Sequence, residues 1–190
     1  MATPKVRVYI ASSIDGFIAG PDDDLSWLPA ADQIAGATDT DPDALQYDDF
    51  IAGVGALLMG RGTYDVVRGF GGPWPYGDRT VLVATNRALD EDPPATVRAV
   101  QGSIVELIEE AKNAADGMDV YLDGGTLVRQ AAEADLVDDL TITIAPIALG
   151  SGHPLFAGMS ERYPLEIVSH HRSGGGMLQI RVRPKGRRAD

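Results

Sequence analysis

The chain has 190 residues and a mass of 20.1 kDa, enough for one well-buried domain and too little for two comfortable ones. Apolar residues make up 44% and charged residues 23%, the composition of a folded soluble protein, which excludes wholesale disorder and a collagen-like or low-complexity chain. Sixteen Lys and Arg against 28 Asp and Glu leave a net charge of −12, which opposes a phosphate-tracking surface and argues against a nucleic-acid partner.

The chain opens with Lys5 to Ala11, where Val6, Val8 and Ile10 share one face of a first strand. Residues 12–42 read as a long loop with Gly16, Gly20 and Pro21, the run Asp22-Asp23-Asp24, and Trp27. A loop of that length inside a compact domain points to function. Asp43 is placed to cap a helix reaching about Gly53, and Ala56 to Met59 form a short buried strand. Gly60-Arg61-Gly62-Thr63 leads into a short helix around Tyr64 to Val67, and a loop rich in glycine, proline and aromatics runs to Tyr76. Thr80 to Ala84 and Thr96 to Val100 follow as strands. Ser103-Ile104-Val105-Glu106 has capping-box spacing and opens a helix that stops near Gly117. Asp119 to Asp123 is the fifth strand, Gly124-Gly125 a sharp turn, and Thr126 opens a helix to about Ala134. Three strands, Leu140 to Ile147, Leu165 to Arg172 and Met177 to Pro184, close the chain, the last two as an antiparallel hairpin. The expected architecture is a single α/β domain over 1–184, with a mixed, mostly parallel sheet of about eight strands and about four flanking helices. Residues 185–190 read as a frayed basic tail.

Several chemistries drop out. With no cysteine there is no thiol nucleophile, disulfide framework or thiolate metal site, which fits a reducing cytoplasm. No run is long and apolar enough to span a membrane. Gly53-x-Gly55 precedes a strand instead of following one, so it is not a dinucleotide fingerprint, and neither a P-loop nor a Gly-x-Ser-x-Gly elbow is present. His170 and His171 are adjacent in a strand and point to opposite faces, and His153 reads as part of a turn, so no metal site is expected.

Three phosphate-friendly turns remain, each just after a predicted strand: Gly60-Arg61-Gly62-Thr63, Thr85-Asn86-Arg87 and Gly124-Gly125-Thr126. Glycines let backbone approach a pyrophosphate, amides at a helix start bind anions, and Arg61 or Arg87 can neutralise a further phosphate. In an open α/β sheet, ligands gather outside the carboxyl ends of such strands.

Ala11-Ser12-Ser13-Ile14-Asp15-Gly16-Phe17-Ile18-Ala19, Met59-Gly60-Arg61-Gly62-Thr63-Tyr64, Asp123-Gly124-Gly125-Thr126-Leu127, Leu136 to Pro146 and Gly150-Ser151-Gly152 follow one another in that order. In this the chain resembles the dihydrofolate-reductase-like superfamily, in particular the riboflavin-pathway pyrimidine reductase that forms the C-terminal half of a bifunctional deaminase-reductase. The resemblance covers nearly the whole chain. It implies a dihydrofolate-reductase-like fold and NADPH as hydride donor to a small heterocyclic substrate. The nicotinamide would lie near Ala11 and Ile18, the pyrophosphate at Gly60, Gly62-Thr63 and Gly124 to Leu127, and the 2′-phosphate near Arg61 or Thr85-Asn86-Arg87. It also implies a strained cis peptide at Gly124-Gly125 and a homodimer paired through the terminal strands. The zinc motif of the deaminase half is missing, so only reduction is expected.

Reduction of C=N or C=O needs a proton as well as a hydride. Candidate acids are Asp32, five residues beyond Trp27 in an imitation of folate-reductase spacing, Asp48 or Asp49 on the next helix, and Asp123 beside the paired glycines, where riboflavin-pathway reductases tend to carry an acidic substrate contact. Asp15 is expected to brace the first loop. Trp27, Trp74 and Tyr76 are candidate walls for a planar ring. Two alternatives stay open: reduction of dihydrofolate itself, favoured if Asp32 sits in the pocket, and a nucleotide-binding protein that has kept the fold without turnover.

Overall fold

The alternation of Val6, Val8 and Ile10 with Arg7, Tyr9 and Ala11 produces the first strand, β1 (Val6–Ser13), with its apolar face fully buried. The computed structural model of the protein describes residues 3–28, 40–90 and 92–185. After β1 come β2 (Phe17–Ala19), a 3-10 turn at Pro21–Asp23, α1 (Tyr47–Ala52), β3 (Val54–Gly60), α2 (Arg61–Gly69), β4 (Thr80–Ala84) and β5 (Val97–Val100). The second half runs α3 (Ile104–Ala114), β6 (Asp119–Asp123), α4 (Gly125–Glu133), β7 (Asp139–Ala145), β8 (His153–Pro154), β9 (Leu165–Ser173) and β10 (Met177–Pro184). Eight strands form one sheet in the order β5-β4-β3-β6-β1-β7-β10-β9. Neighbours from β5 through β7 pair in parallel, and β10 pairs antiparallel with both β7 and β9. The expected fold class is therefore the observed one.

Each face of the sheet carries its own core. Val8, Leu58, Leu82, Leu122 and Ile142 pack against Leu107, Ile108 and Ala111 of α3 and Val128 and Ala131 of α4. Leu57, Met59, Val81, Val83 and Tyr121 point the other way and meet Phe50 of α1, Tyr64 of α2 and Tyr76. Fully burying each of these leucines contributes about 1.5–3 kcal/mol, so the central strands, apolar on both faces, are where the fold is anchored. At Gly55 backbone passes so close to Ala115 that a Cβ has no room.

Three local expectations are corrected. Asp43 does not start a helix: Ala44 N–H donates to the Asp41 carbonyl in a turn, and α1 begins at Tyr47. The cause is tertiary, since the buried Gln179 side chain accepts from Leu45 N–H at 2.8 Å and donates to the Leu45 carbonyl at 3.0 Å, pinning this segment to β10 in a non-helical course. The helix expected around Tyr64 to Val67 is longer and starts at Arg61. A two-stranded sheet of β2 and β8 links the first loop to the segment after β7, a pairing that residues 12–42 do not announce. The tail, apart from Lys185, lies outside the described residues, and no described helix is long and apolar enough to cross a membrane.

Candidate active site

The carboxyl ends of β1, β3, β4, β5 and β6 open together into one cleft of about 800 Å³, the position the parallel topology favours for a ligand. Its walls divide by chemistry. One end is built from turns. Gly60 ends β3 and starts α2, Gly124 ends β6 and starts α4, and neither helix has a side chain capping its first turn. By contrast α3 carries a complete capping box from Ser103 and Glu106. The first amides of α2 and α4 are thus without an internal partner, the arrangement that binds anions. The two turns touch. Gly124 sits at φ +92°, a conformation that favours glycine, and a Cβ there would meet Thr63 Oγ1 at 2.6 Å. A Cβ on Gly60 or Gly62 would meet nothing within 4 Å, leaving an open approach to the backbone. Ala11, Ile18, Thr85, Asn86, Thr126 and Leu127 complete this end.

Two arginines face this end under different restraints. Arg61 bonds Asp65 at 2.6 Å, one helical turn on, and also donates to the Ala88 carbonyl. Arg129 of α4 donates to the Pro154 carbonyl and to Leu155 O at 3.3 Å, holding the strand β8 over the helix start. His153 on β8 places Nε2 3.1 Å from the Asp23 carboxylate, so the first loop is tied to β8 across the mouth of the cleft.

The other end is aromatic and acidic. Tyr9, Tyr47, Tyr76 and Tyr121 line it, with Asp123 between this wall and the Gly124 turn. Tyr121 Oη donates to the Tyr9 carbonyl at 2.8 Å, and Tyr9 Oη to the Leu45 carbonyl at 3.1 Å. The Asp123 carboxylate accepts from Gly124 N–H at 2.8 Å and lies beside the Tyr121 hydroxyl, whose proton goes to the Tyr9 carbonyl. Burial nevertheless outweighs the lowering by these two groups and pushes its pKa up to about 6. Burial also raises the tyrosines, Tyr47 up to about 12 with the Asp123 charge adding to the effect, so the wall presents neutral hydroxyls.

The structure brings together Ala11, Ile18, Gly60 to Thr63, Tyr76, Thr85, Asn86 and Asp123 to Leu127 from among the residues singled out in the sequence. It leaves others aside. Asp48 and Asp49 are exposed on α1, away from the cleft. Trp27 turns its indole N–H onto the Asp24 carbonyl at 3.1 Å, and the neighbouring Leu25 and Leu28 face the cleft in its place. Arg87 is exposed outside the cleft, its N–H held by Thr85 Oγ1 at 3.0 Å. Trp74 packs on Tyr64 and Tyr76, one layer behind the wall. Asp32 lies outside the described residues. No described peptide bond is cis, so the bond expected at Gly124-Gly125 is trans and the positive φ of Gly124 makes the turn. Among the described residues no group of three or more His, Asp or Glu gathers to hold a metal.

Sequence reasoning missed Arg129 and the tyrosines at 9, 47 and 121. A signal existed for two of them: Tyr9 and Tyr121 alternate out of register with the apolar residues of β1 and β6, and Arg7 pairs with Tyr121, so both rings rise on one face of adjacent strands. Asp15 braces the first loop over a longer reach than expected. Its carboxylate accepts from Ser13 Oγ at 2.6 Å, Gly150 N–H at 2.7 Å and Leu149 N–H at 3.1 Å, which hold its pKa down to about 2.

The model of the RibD C-terminal domain matches residues 74–179. The uncharacterized protein YwjB of Bacillus subtilis is 31% identical over 90% of this chain and 92% of its own. A protein from Shewanella sp. PV-4 named for riboflavin biosynthesis is 29% identical, covers 95% of this chain and 99% of its own, and superposes with a TM-score of 0.77. The bifunctional deaminase and 5-amino-6-(5-phosphoribosylamino)uracil reductase of Thermotoga maritima, at 18% identity and TM-score 0.63, shares the fold over 96% of this chain and 57% of its own. By its match to that domain over more than half its length and its end-to-end relationship to YwjB, the chain belongs to the RibD C-terminal domain family.

Proposed function

We propose that the protein is an NADPH-dependent reductase of a planar nitrogen heterocycle, working in the cytoplasm. The observation that carries this reading is the convergence of two uncapped helix starts, at Gly60 and Gly124, on one cleft that also holds a raised-pKa carboxyl, Asp123, between the Gly124 turn and the tyrosine wall. The residues fit a dinucleotide: Gly62, Thr63 and Gly124 to Leu127 would take the pyrophosphate, and Arg61 with Thr85 and Asn86 the adenosine phosphate. Bound there, NADPH would supply a hydride to the electron-poor carbon of a C=N or C=O group. Ile18 and Ala11 would shape the floor beside the reacting carbon and keep water from it. Asp123, protonated up to about pH 6, would hold the proton that the substrate nitrogen or oxygen takes, with Tyr121 fixing the carboxyl. The relationship to a family with reductase members supports the same reading.

The direct test is a titration with NADPH and NADH in parallel at two salt concentrations, followed through tryptophan fluorescence. Saturable, salt-sensitive binding with NADPH preferred is expected. Absence of binding to either nucleotide by a folded sample refutes the proposal. We further propose that the protein works as a homodimer through β9 and β10, where Ile167, Val168 and Leu178 stand 67%, 44% and 42% exposed. Sedimentation equilibrium giving a 20 kDa species at micromolar concentration would refute that.

A further inference from the structure

Among the described residues, the tyrosine end of the cleft carries no cation to receive an anionic substrate. The cationic side chains lining the cleft among the described residues are Arg61, Arg129 and His153, and all three belong to the helix-start end or the β8 strap. Arg79, whose charge reaches Tyr47, is held by the carbonyls of Val54 at 3.0 Å and Tyr76 at 3.4 Å. Arg7 bonds Asp119 at 3.3 Å and stacks over Phe50. For residues 29–39 the sequence extends this deficit beyond the described residues. From Val8 to Gly60 there are ten aspartates and not one Lys, Arg or His, so residues 29–39 can bring no positive charge to the site whatever course they take. The helix nearest this end, α1, has only six residues and two exposed aspartates in its first turn.

A phosphate or carboxylate entering a partly dehydrated pocket gives up hydration that must be replaced by cations or several charge-assisted hydrogen bonds. Here it would meet neutral hydroxyls and the carboxylate of Asp123, an unfavourable exchange. A neutral ring, or one bearing a protonated amine or amidine, meets the same groups favourably. Its faces pack on tyrosine rings, its N–H groups donate to Asp123, and a positive charge is attracted by carboxylate and aromatic faces together.

Resting on the reading of the helix-start end as the dinucleotide site, we infer that the substrate of this protein is a planar heterocycle without a phosphate or carboxylate group, bound neutral or as a protonated amine. A phosphoribosyl pyrimidine and a glutamate-bearing folate are both excluded by the same missing cation.

The test uses the full chain saturated with NADPH, and NADPH binding is measured first on the same sample. Two matched pairs of probes are then titrated: 5-amino-6-ribitylaminouracil against its 5′-phosphate, and 7,8-dihydrobiopterin against 7,8-dihydrofolate, with 2,4-diaminopyrimidine as a cationic probe. Chemical shifts of the tyrosine rings report occupancy of this end specifically. At least tenfold tighter binding of the unphosphorylated and glutamate-free members, or of the cationic probe over every anionic one, is expected. Leu25→Lys and Leu28→Lys, which each bring an ammonium to the cleft wall, should narrow the gap toward the anionic members. Equal or tighter binding of the phosphate or glutamate forms overturns the inference, and so does a failure of every neutral and cationic probe to shift the tyrosine rings. If NADPH itself does not bind, the dinucleotide reading falls and takes this inference with it; if NADPH binds and anionic probes win, the inference alone falls.

Discussion

Replacing Asp123 by Asn should stabilise the protein while removing the proposed proton donor. In the unfolded chain an aspartate ionises near 3.8, whereas burial raises Asp123 to about 6 in the fold. Between those values the folded carboxyl keeps a proton that the unfolded chain has released. Stability therefore falls as pH rises through this window, and above about 6 the folded state carries the whole cost of an ionised, partly buried group. A shift of about two pKa units corresponds to about 3 kcal/mol. By linkage about half of that cost is already present at pH 5, and none of it remains below both values. Asn keeps an acceptor for the Gly124 N–H and abolishes the charge. Urea denaturation should then show Asp123→Asn more stable than the parent chain by up to about 3 kcal/mol at pH 8 and by about half as much at pH 5. NADPH affinity should hardly change, while turnover of any accepted substrate should fall and lose its decline across pH 6. A variant that is destabilised at pH 8, or whose advantage is the same at pH 5 and 8, would refute the account of Asp123 as a carboxyl strained by desolvation.

Other substitutions read other parts of the site and its support. Gly124→Ala forces a Cβ onto Thr63 Oγ1 at a positive φ; it should cost about 1–3 kcal/mol in denaturation experiments and weaken NADPH binding at least tenfold by separating the two helix starts. Arg61→Ala should reduce NADPH affinity, its margin over NADH and the salt dependence of both, with little loss of stability because the Arg61–Asp65 pair is on the surface. Asp139 is 4% exposed and bonds Arg181 at 2.8–2.9 Å and Arg183 at 3.2 Å. Asp139→Asn should lower the urea midpoint by the equivalent of about 1–3 kcal/mol, toward the lower end of buried-pair losses because both guanidinium groups keep access to water.

Strands were legible wherever one residue type repeated with period two or formed a short apolar run. Ala56 to Met59, Thr80 to Ala84 and Asp119 to Asp123 were read within a residue or two of β3, β4 and β6, because burial on both faces leaves a continuous apolar signature. The Ser103 capping box marked α3 for the same local reason. The failures share a physical cause, which is that distant side chains decided them. Nothing near Asp43 reveals that Gln179 will clamp Leu45 and delay α1, and nothing near Phe17 announces a partner at His153–Pro154. In the site, the glycine turns were legible because backbone geometry restricts them to few residue types. Of the tyrosine wall only Tyr76 was, since Tyr9, Tyr47, Tyr76 and Tyr121 come from two strands, one helix and one loop, and only the folded sheet brings them to one place. Trp27 was attractive for its ring, but its indole N–H found a backbone carbonyl within its own loop.

The order of strands carries a consequence for synthesis on the ribosome. The first strand made, β1, is paired on its two sides by β6 and β7, which emerge more than a hundred residues later. Until Asp123 has been translated, β3, β4 and β5 can form a three-stranded patch, but β1 has neither neighbour and its buried face of Val6, Val8 and Ile10 is open to water. The sheet is completed by threading a late strand into its centre, a long-range closure that slows folding relative to locally paired folds. Translational arrest anywhere before β6 should therefore leave a nascent chain recognised by chaperones, and release past β7 should let the domain close in a single late step.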